Sequence, residues 1–402
     1  MKALATASRV LVGLLFIFSG FIKANDPLGF SYKLEEYYHV FGLDFLVSSV
    51  LYQAMFICVL EIVLGFAVLM GTRMKITASL LLAMIVFFTL LTGYTAVGNW
   101  FFENPEHGTT QWFANLLGFE PKGIYYMTDC GCFGDFIKLT PWQSFTKDVI
   151  LLVLIVIIFI RRKHVRSIFS RNIQTNFIVS FSVLFTVFTV YCYMYLPVLN
   201  FLYWENGNNV AELMVCPPDA PKDSVVQTFI YKVDGKDIEY SYDDVMAMKV
   251  PEGADFVDQN KVVIREGCRP KINGFTMFNS NNVDYKDSML TNNDFQLLVV
   301  SYNLDKARKK GLEKVSALAK EFIEQDGKKV WGLTGSTLED AEKVRHEYGL
   351  IFDFYNTDPK MLKSMIRSNA GLILMKGSVV IDQWPSRSIP KPEKLRKIMS
   401  KN

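Results

Sequence analysis

The sequence predicts a helical membrane bundle followed by a soluble α/β domain, and three observations predict it. Five long apolar segments lie before residue 200, lysines and arginines gather in alternate short loops between them, and short apolar runs alternate with amphipathic helical ones after residue 271. Half of the 402 residues are hydrophobic and the formal net charge is +3. That balance provides no concentrated basic face, so a lipid bilayer and not nucleic acid is the expected surroundings.

A helix needs about 20 mostly apolar residues to cross the hydrocarbon core. Residues 3–22, 46–70, 76–98, 142–160 and 177–196 meet that requirement. Gly71 follows the second run as a helix C-cap would. Thr140 and Pro141 precede the fourth as an N-cap and first helical residue. A signal peptide is the alternative for the first run, but Arg9 interrupts it and Lys23-Ala24-Asn25 is a poor cleavage site. Arg73 and Lys75 lie between spans two and three, and Arg161, Arg162, Lys163, Arg166 and Arg171 between spans four and five. The positive-inside rule makes both loops cytoplasmic. The N-terminus is then cytoplasmic, and everything after residue 196 lies outside, in the periplasm if the membrane is the inner membrane of a bacterium.

Ionisable groups at membrane depth are costly and usually face the bundle interior. Arg9 lies about two turns in from the cytoplasmic end of span one, and Glu61 about two and a half turns in from that end of span two, at 1.5 Å per residue. The two are therefore expected to face each other, either as a structural ion pair or as a polar floor for a ligand or quinone headgroup. Lys147 can snorkel to the interface, whereas Asp148 needs a partner.

Six cysteines are present. Cys58 and Cys192 fall within spans and read as small core residues. Cys130 and Cys132 stand in Asp129-Cys130-Gly131-Cys132-Phe133-Gly134, in an outer loop before span four. In an oxidising compartment such thiols either pair or work. A ring closed across one glycine is strained, and strained exposed disulfides are the more easily reduced ones. A purely structural disulfide holding the loop over the bundle remains the competing reading. Zinc needs about two further ligands and only His107 shares the loop, so no metal is expected. Cys216 and Cys268 are a candidate structural disulfide, worth about 4 kcal/mol in the chain-entropy model.

These residues carry a resemblance. Arg9 with Gly13 and Gly20-Phe21-Ile22-Lys23, Glu61 with Gly65, and Cys130-Gly131-Cys132-Phe133-Gly134 followed by Thr140-Pro141 and Asp148 resemble the DoxX-like membrane proteins, and more closely their methylamine-utilisation MauE-like branch. The resemblance implies a four-helix bundle over residues 1–165 with the cysteines at its outer mouth; the fifth apolar helix, within 166–199, lies beyond it and is read from hydropathy alone. The resemblance also implies thiol-disulfide maturation of periplasmic proteins, beside a thioredoxin-like partner.

Residues 200–270 read as a connector with short strands, at 227–233 and 236–242. From 271 to 402 strands and helices alternate. A continuous apolar run at 295–301 reads as a buried parallel strand. Residues 306–324 have helical periodicity, 329–334 are a second strand, and 337–348 form a helix capped by Thr337. A short strand at 352–355, a helix at 359–366, a hairpin at 371–375 and 378–383, and a last helix at 391–400 complete the order. Leu297-Leu298-Val299-Val300-Ser301, Phe354-Tyr355-Asn356-Thr357-Asp358 and Arg367-Ser368-Asn369-Ala370-Gly371-Leu372 resemble the thioredoxin-like domains of the TlpA and peroxiredoxin group. Where that group places its CxxC, this chain has Tyr302-Asn303-Leu304-Asp305, and Ala370 stands where the cis-proline is usual. Thiolate chemistry needs a sulfur, so the resemblance implies a degenerate domain kept for docking a partner or another part of the chain.

Two functions follow. In one, Cys130 and Cys132 exchange disulfides with a periplasmic thioredoxin-like or substrate protein and pass electrons to a quinone or second carrier, making the chain a thiol-disulfide oxidoreductase. In the other it is a membrane-anchored scaffold or subunit of an envelope complex. The sequence carries no HExxH, nucleophile elbow, phosphate loop or dinucleotide fingerprint.

Overall fold

A computed structural model describes residues 2–103, 107–117, 131, 133–165, 167–233, 235–251, 253–265 and 267–401. Its first half is helical: α1 (Lys2–Asn25), α2 (Pro27–Val40), α3 (Val50–Met70), α4 (Met74–Glu103), α5 (Gly108–Leu117), α6 (Pro141–Arg161) and α7 (Arg171–Met194). Among the described residues, five stretches are long and apolar enough to cross a membrane: Ala3–Asn25, Asp44–Met70, Met74–Phe102, Pro141–Arg161 and Arg171–Met194. Each expected span lies largely within one of them.

Local chemistry sets their ends. Gly71 takes the left-handed conformation after α3, with φ +71°. The Thr140 hydroxyl accepts from the Gln143 amide while the Gln143 side chain accepts from the Thr140 amide, a reciprocal cap at the start of α6. α1 and α3 run antiparallel with their backbones nearly touching. A Cβ on Gly13 would come within 3.0 Å of the Gly65 carbonyl, and one on Gly65 within 2.8 Å of the Gly13 carbonyl. Small residues are what permit such an approach. α7 joins through aromatic rings, Phe181 stacking on Phe66 at 4.1 Å and Phe188 on Phe21 at 5.4 Å.

After α7 come α8 (Val210–Leu213), β1 (Ser224–Val233), β2 (Lys236–Ser241), α9 (Tyr242–Met246) and β3 (Asp255–Arg265). The strands form an antiparallel sheet in the order β2-β1-β3. Then follow α10 (Lys286–Leu290), β4 (Phe295–Ser301), α11 (Lys309–Glu324), β5 (Lys329–Thr334), α12 (Leu338–Tyr348), β6 (Phe354–Asn356), α13 (Pro359–Met365), β7 (Gly371–Lys376), β8 (Val379–Trp384) and α14 (Pro392–Met399). They build a mixed sheet in the order β6-β5-β4-β7-β8, with β4, β5 and β6 parallel and β7 and β8 antiparallel. Side chains alternate across the central strand. Leu297 and Val299 enter the core under α11 and α14, while Leu298 and Val300 enter the opposite core with Trp204, Phe275 and Leu362.

Candidate functional site

The polar groups inside the bundle do not pair as expected. Arg9 donates to the carbonyls of Val68 at 3.1 Å and Leu69 at 3.0 Å, covering the open C-terminal end of α3. Glu61 instead accepts from Lys23, whose ammonium lies 2.8 Å from both carboxylate oxygens and 2.7 Å from Ser19 Oγ. Lys23 also stands over the rings of Phe88 at 4.9 Å and Phe30 at 5.5 Å. The correction has a geometric cause. Side chains lean toward the N-terminus of their own helix. In an antiparallel pair, Lys23 near the end of α1 and Glu61 in α3 therefore lean toward each other, whereas Arg9 and Glu61 lean apart. α1 runs to Asn25, so Lys23 lies in its last turn and not beyond it.

Asp148 has the partners it needs. Thr92 donates to it at 3.0 Å and the adjacent Lys147 forms a close ion pair with it. Lys147 also reaches the Phe133 ring at 5.5 Å.

Above Lys23 lies α2, which hydropathy alone does not reveal. Asp26 caps it by accepting from the Gly29 amide at 2.9 Å, with Pro27 at the first helical position. Phe30, Leu34, Tyr37 and Tyr38 turn inward, a helical spacing that would have identified it. Gly131 takes φ +63° against the stem of Lys33, where a Cβ would come 2.9 Å from Cγ. Phe133 packs on Phe18 at 5.8 Å. A cleft of about 10 Å³ is lined by Gly131, Lys33, Phe30, Leu34, Phe88 and Lys23. A second, of about 20 Å³, lies between Lys23, Asp26, Asp135 and Asn200. Each has room for about one water. Cys130 and Cys132 themselves lie outside the described residues.

The α/β domain sits on this end of the bundle. Arg367, only 6 % exposed, donates through Nε to both oxygens of Asp26 at 3.0 and 2.8 Å and through Nη2 to Asp135 at 2.6 Å. Its third nitrogen donates to the Lys363 carbonyl. Burial opposes the guanidinium's charge, but Asp26 and Asp135 more than offset that and hold its pKa above the ordinary arginine value. Lys360 and Lys363 face Glu36 and Glu35 at 3.6 and 3.9 Å, and burial pulls the Lys363 pKa down. Tyr32 meets Tyr302 edge-on at 6.2 Å, and burial pushes both phenols up. Asn25 exchanges two hydrogen bonds with the backbone of Leu199. Tyr302 belongs to the segment that follows β4. Beside it, Asn369 precedes Ala370 through a cis peptide, accepts from Ser301 and donates to the Asn303 carbonyl.

The remaining cysteines follow the sequence reading. Cys216 and Cys268 are joined by a disulfide, with their Cα atoms 6.1 Å apart, and Cys58 and Cys192 are buried thiols. The disulfide closes the base of the three-stranded sheet, where the Cys268 amide donates to the Pro221 carbonyl and Arg269 pairs with Asp223. Among the described residues no cluster of three or more His, Cys, Asp or Glu side chains is placed to hold a metal.

Residues 1–100, about a quarter of the chain, match the family described as methylamine utilisation protein MauE. The chain matches no curated protein sequence. Its N-terminal region thus resembles multi-spanning membrane proteins of the MauE and DoxX type, and it carries a globular α/β domain behind that region.

Proposed function

We propose that the chain is a bacterial inner-membrane thiol-disulfide redox or maturation factor, acting on periplasmic proteins through the Cys130–Gly131–Cys132 loop. One observation carries the reading. Gly131, the residue bonded between the two cysteines, lines the same cleft as Lys23, the cation of the buried pair with Glu61. A neighbouring cation favours a thiolate over a thiol, here against the opposing effects of the apolar wall and of the Glu61 carboxylate that Lys23 pairs with. The basic loops around Arg73 and Arg161 support an orientation with this mouth on the periplasmic side.

The reaction needs no metal. A thiolate of the pair attacks a disulfide sulfur of the substrate, forming a mixed disulfide and expelling one substrate thiolate. The second cysteine then attacks the first cysteine's sulfur, closing Cys130–Cys132 and releasing the second substrate thiolate. Two electrons pass to the substrate, and the reverse sequence oxidises it. The two-electron exchange is complete between the cysteine pair and the substrate, so no step is assigned to a quinone. The α/β domain is read as a thioredoxin-like fold retained for docking, since Tyr302-Asn303-Leu304-Asp305 offers no sulfur.

The scaffold reading draws on a different observation, that the degenerate edge of this domain already rests on the chain's own α2. The double substitution Cys130→Ser with Cys132→Ser separates the two. Loss of disulfide exchange, read as a changed thiol state of envelope proteins at unchanged protein level, is expected. Full retention would leave only the scaffold.

A further inference from the structure

The three-stranded sheet between Cys216 and Cys268 is left without a covering layer. Between Val210 and Ile272 no described side chain is fully buried, and none of the four hydrophobic clusters takes a residue between Met214 and Ile272. A sheet ordinarily buries its apolar face against a second layer. Here the register puts Phe229, Tyr231, Ile238, Tyr240 and Phe256 on one face. Tyr231 meets Tyr240 at 6.0 Å and Phe256 at 5.7 Å. The short α9 touches the Phe229 end of this face through Tyr242 at 6.4 Å, while Ile238 and Phe256 remain 40 % and 55 % exposed.

The opposite face carries charge. Asp237, Glu239, Asp255 and Asp258 stand there around Lys232, and Thr228 holds Glu239 by donating to it at 2.5 Å. Between the two cysteines eleven Asp and Glu stand against six Lys and Arg, in a chain whose net charge is +3. β2 is an edge strand, so alternate backbone groups along it point away from β1. The mixed sheet treats its edges differently. Its β6 edge is covered by a backbone bridge from Asn356 to Phe278, and its β8 edge by one from Val379 to Asn209. Among the described residues no such bridge closes β2.

The pattern of β2 selects what can add to it. In a two-fold antiparallel pairing with a second copy, Asp237 and Glu239 of both chains would meet on one face, and like charges directly opposite are destabilising. The same excess of acids is repelled by an anionic membrane surface. A strand that alternates cationic and apolar residues instead sets its cations beside Asp237 and Glu239 and its apolar side chains beside Ile238 and Tyr240. We propose that the three-stranded sheet is a docking module, and that its β2 edge takes as a fourth strand an extended segment of a partner protein in which Lys or Arg alternates with apolar residues. Nothing in this docking depends on the thiol-redox reading.

The test uses the full chain in phosphatidylcholine nanodiscs and a short fluorescein-labelled peptide of alternating lysine and valine, with binding followed by fluorescence anisotropy. Saturable binding to the wild type is expected, weakened about five-fold or more by Asp237→Lys with Glu239→Lys. That variant should in turn bind an alternating glutamate–valine peptide better than the wild type does, a gain that a misfolded sheet would not give. Should it fail to accumulate, Asp237→Asn with Glu239→Gln keeps the shape and should still bind the lysine peptide several-fold more weakly. Prolines in place of the central valines remove amide donors and should weaken binding by a similar factor; an unchanged affinity would overturn the added strand. The proposal also falls if the wild type binds the peptide no better than empty nanodiscs do, or if the charge swap changes neither affinity. It falls too if mass photometry of the detergent-solubilised chain finds a dimer that the same swap abolishes, since a second copy would then be the occupant.

Discussion

Lys23→Met removes the ammonium that both oxygens of Glu61 accept from, together with the bond to Ser19 and the contacts with Phe30 and Phe88. The side chains of Lys23 and Glu61 are 3 % and 4 % exposed, so the pair belongs with buried ion pairs and not with the surface pairs worth under about 1 kcal/mol. Breaking a buried pair from one side leaves an uncompensated charge and costs about 3–5 kcal/mol. Glu61→Gln should cost less, because its amide oxygen still accepts from Lys23 while the ammonium loses its counter-charge. The double change Lys23→Met with Glu61→Leu removes both charges into surroundings already apolar, and should come within about 1–2 kcal/mol of the wild type. Unfolding in mixed micelles by titration with sodium dodecyl sulfate, followed by far-ultraviolet circular dichroism, measures the wild type, Lys23→Met, Glu61→Leu and the double variant, the four corners of this cycle. The reasoning requires a coupling of about 2 kcal/mol or more. Additive single effects, or a Lys23→Met cost below about 1 kcal/mol, would show that the pair does not hold α1 against α3.

Other outcomes follow from separate features. Reduction of Cys216–Cys268, or its replacement by serines, should loosen the three-stranded sheet by about 4 kcal/mol, since the bond closes a loop with a sequence separation of 52; limited proteolysis should then cut between residues 217 and 267 and leave the bundle intact. Gly65→Val should destabilise the bundle by about 1–3 kcal/mol, because its Cβ would meet the Gly13 carbonyl at 2.8 Å and the Ile17 amide nitrogen at 2.9 Å, while Gly108→Ala, with no atom within 4 Å, should be neutral in the same micelle titration. Asp244 should titrate at about 2, held down by hydrogen bonds from Lys249 and Ser241. A depressed carboxyl stabilises α9 above the ordinary aspartate value and loses that effect as the pH falls through about 2; carboxyl carbon shifts of selectively labelled protein read the midpoint, and Lys249→Met should raise it.

The spans were legible because a run of about 20 apolar residues has few other uses, and their caps because Thr140 and Gly71 are residues whose backbone roles are narrow. The order of strands and helices after residue 271 was legible for a similar reason, periods of two and 3.6 being visible in Phe295–Ser301 and Lys309–Glu324. α2 was lost because its outer face, with Lys33, Glu35 and Glu36, lowers the mean hydropathy of a segment that still carries Phe30, Leu34, Tyr37 and Tyr38 at helical spacing. The Glu61 partner was misassigned by counting depth alone and ignoring the tilt of the side chains. The contact of Arg367 with Asp26 and Asp135 was beyond any local pattern, since nothing in either neighbourhood announces a partner so distant in the chain.

The tie made by Arg367 also orders the protein's birth. Asp26 leaves the ribosome 341 residues before Arg367, and chains fold progressively from the N-terminus during synthesis. The bundle can therefore be inserted and packed while Asp26 has its Gly29 amide and Asp135 has Lys138, but neither has yet met the guanidinium. Those two carboxylates gain their guanidinium partner only once nearly the whole chain has been made and the mixed sheet has formed. A truncated or misfolded C-terminal half leaves both carboxylates without this partner, so the acidic end of the bundle differs chemically between a finished and an unfinished molecule.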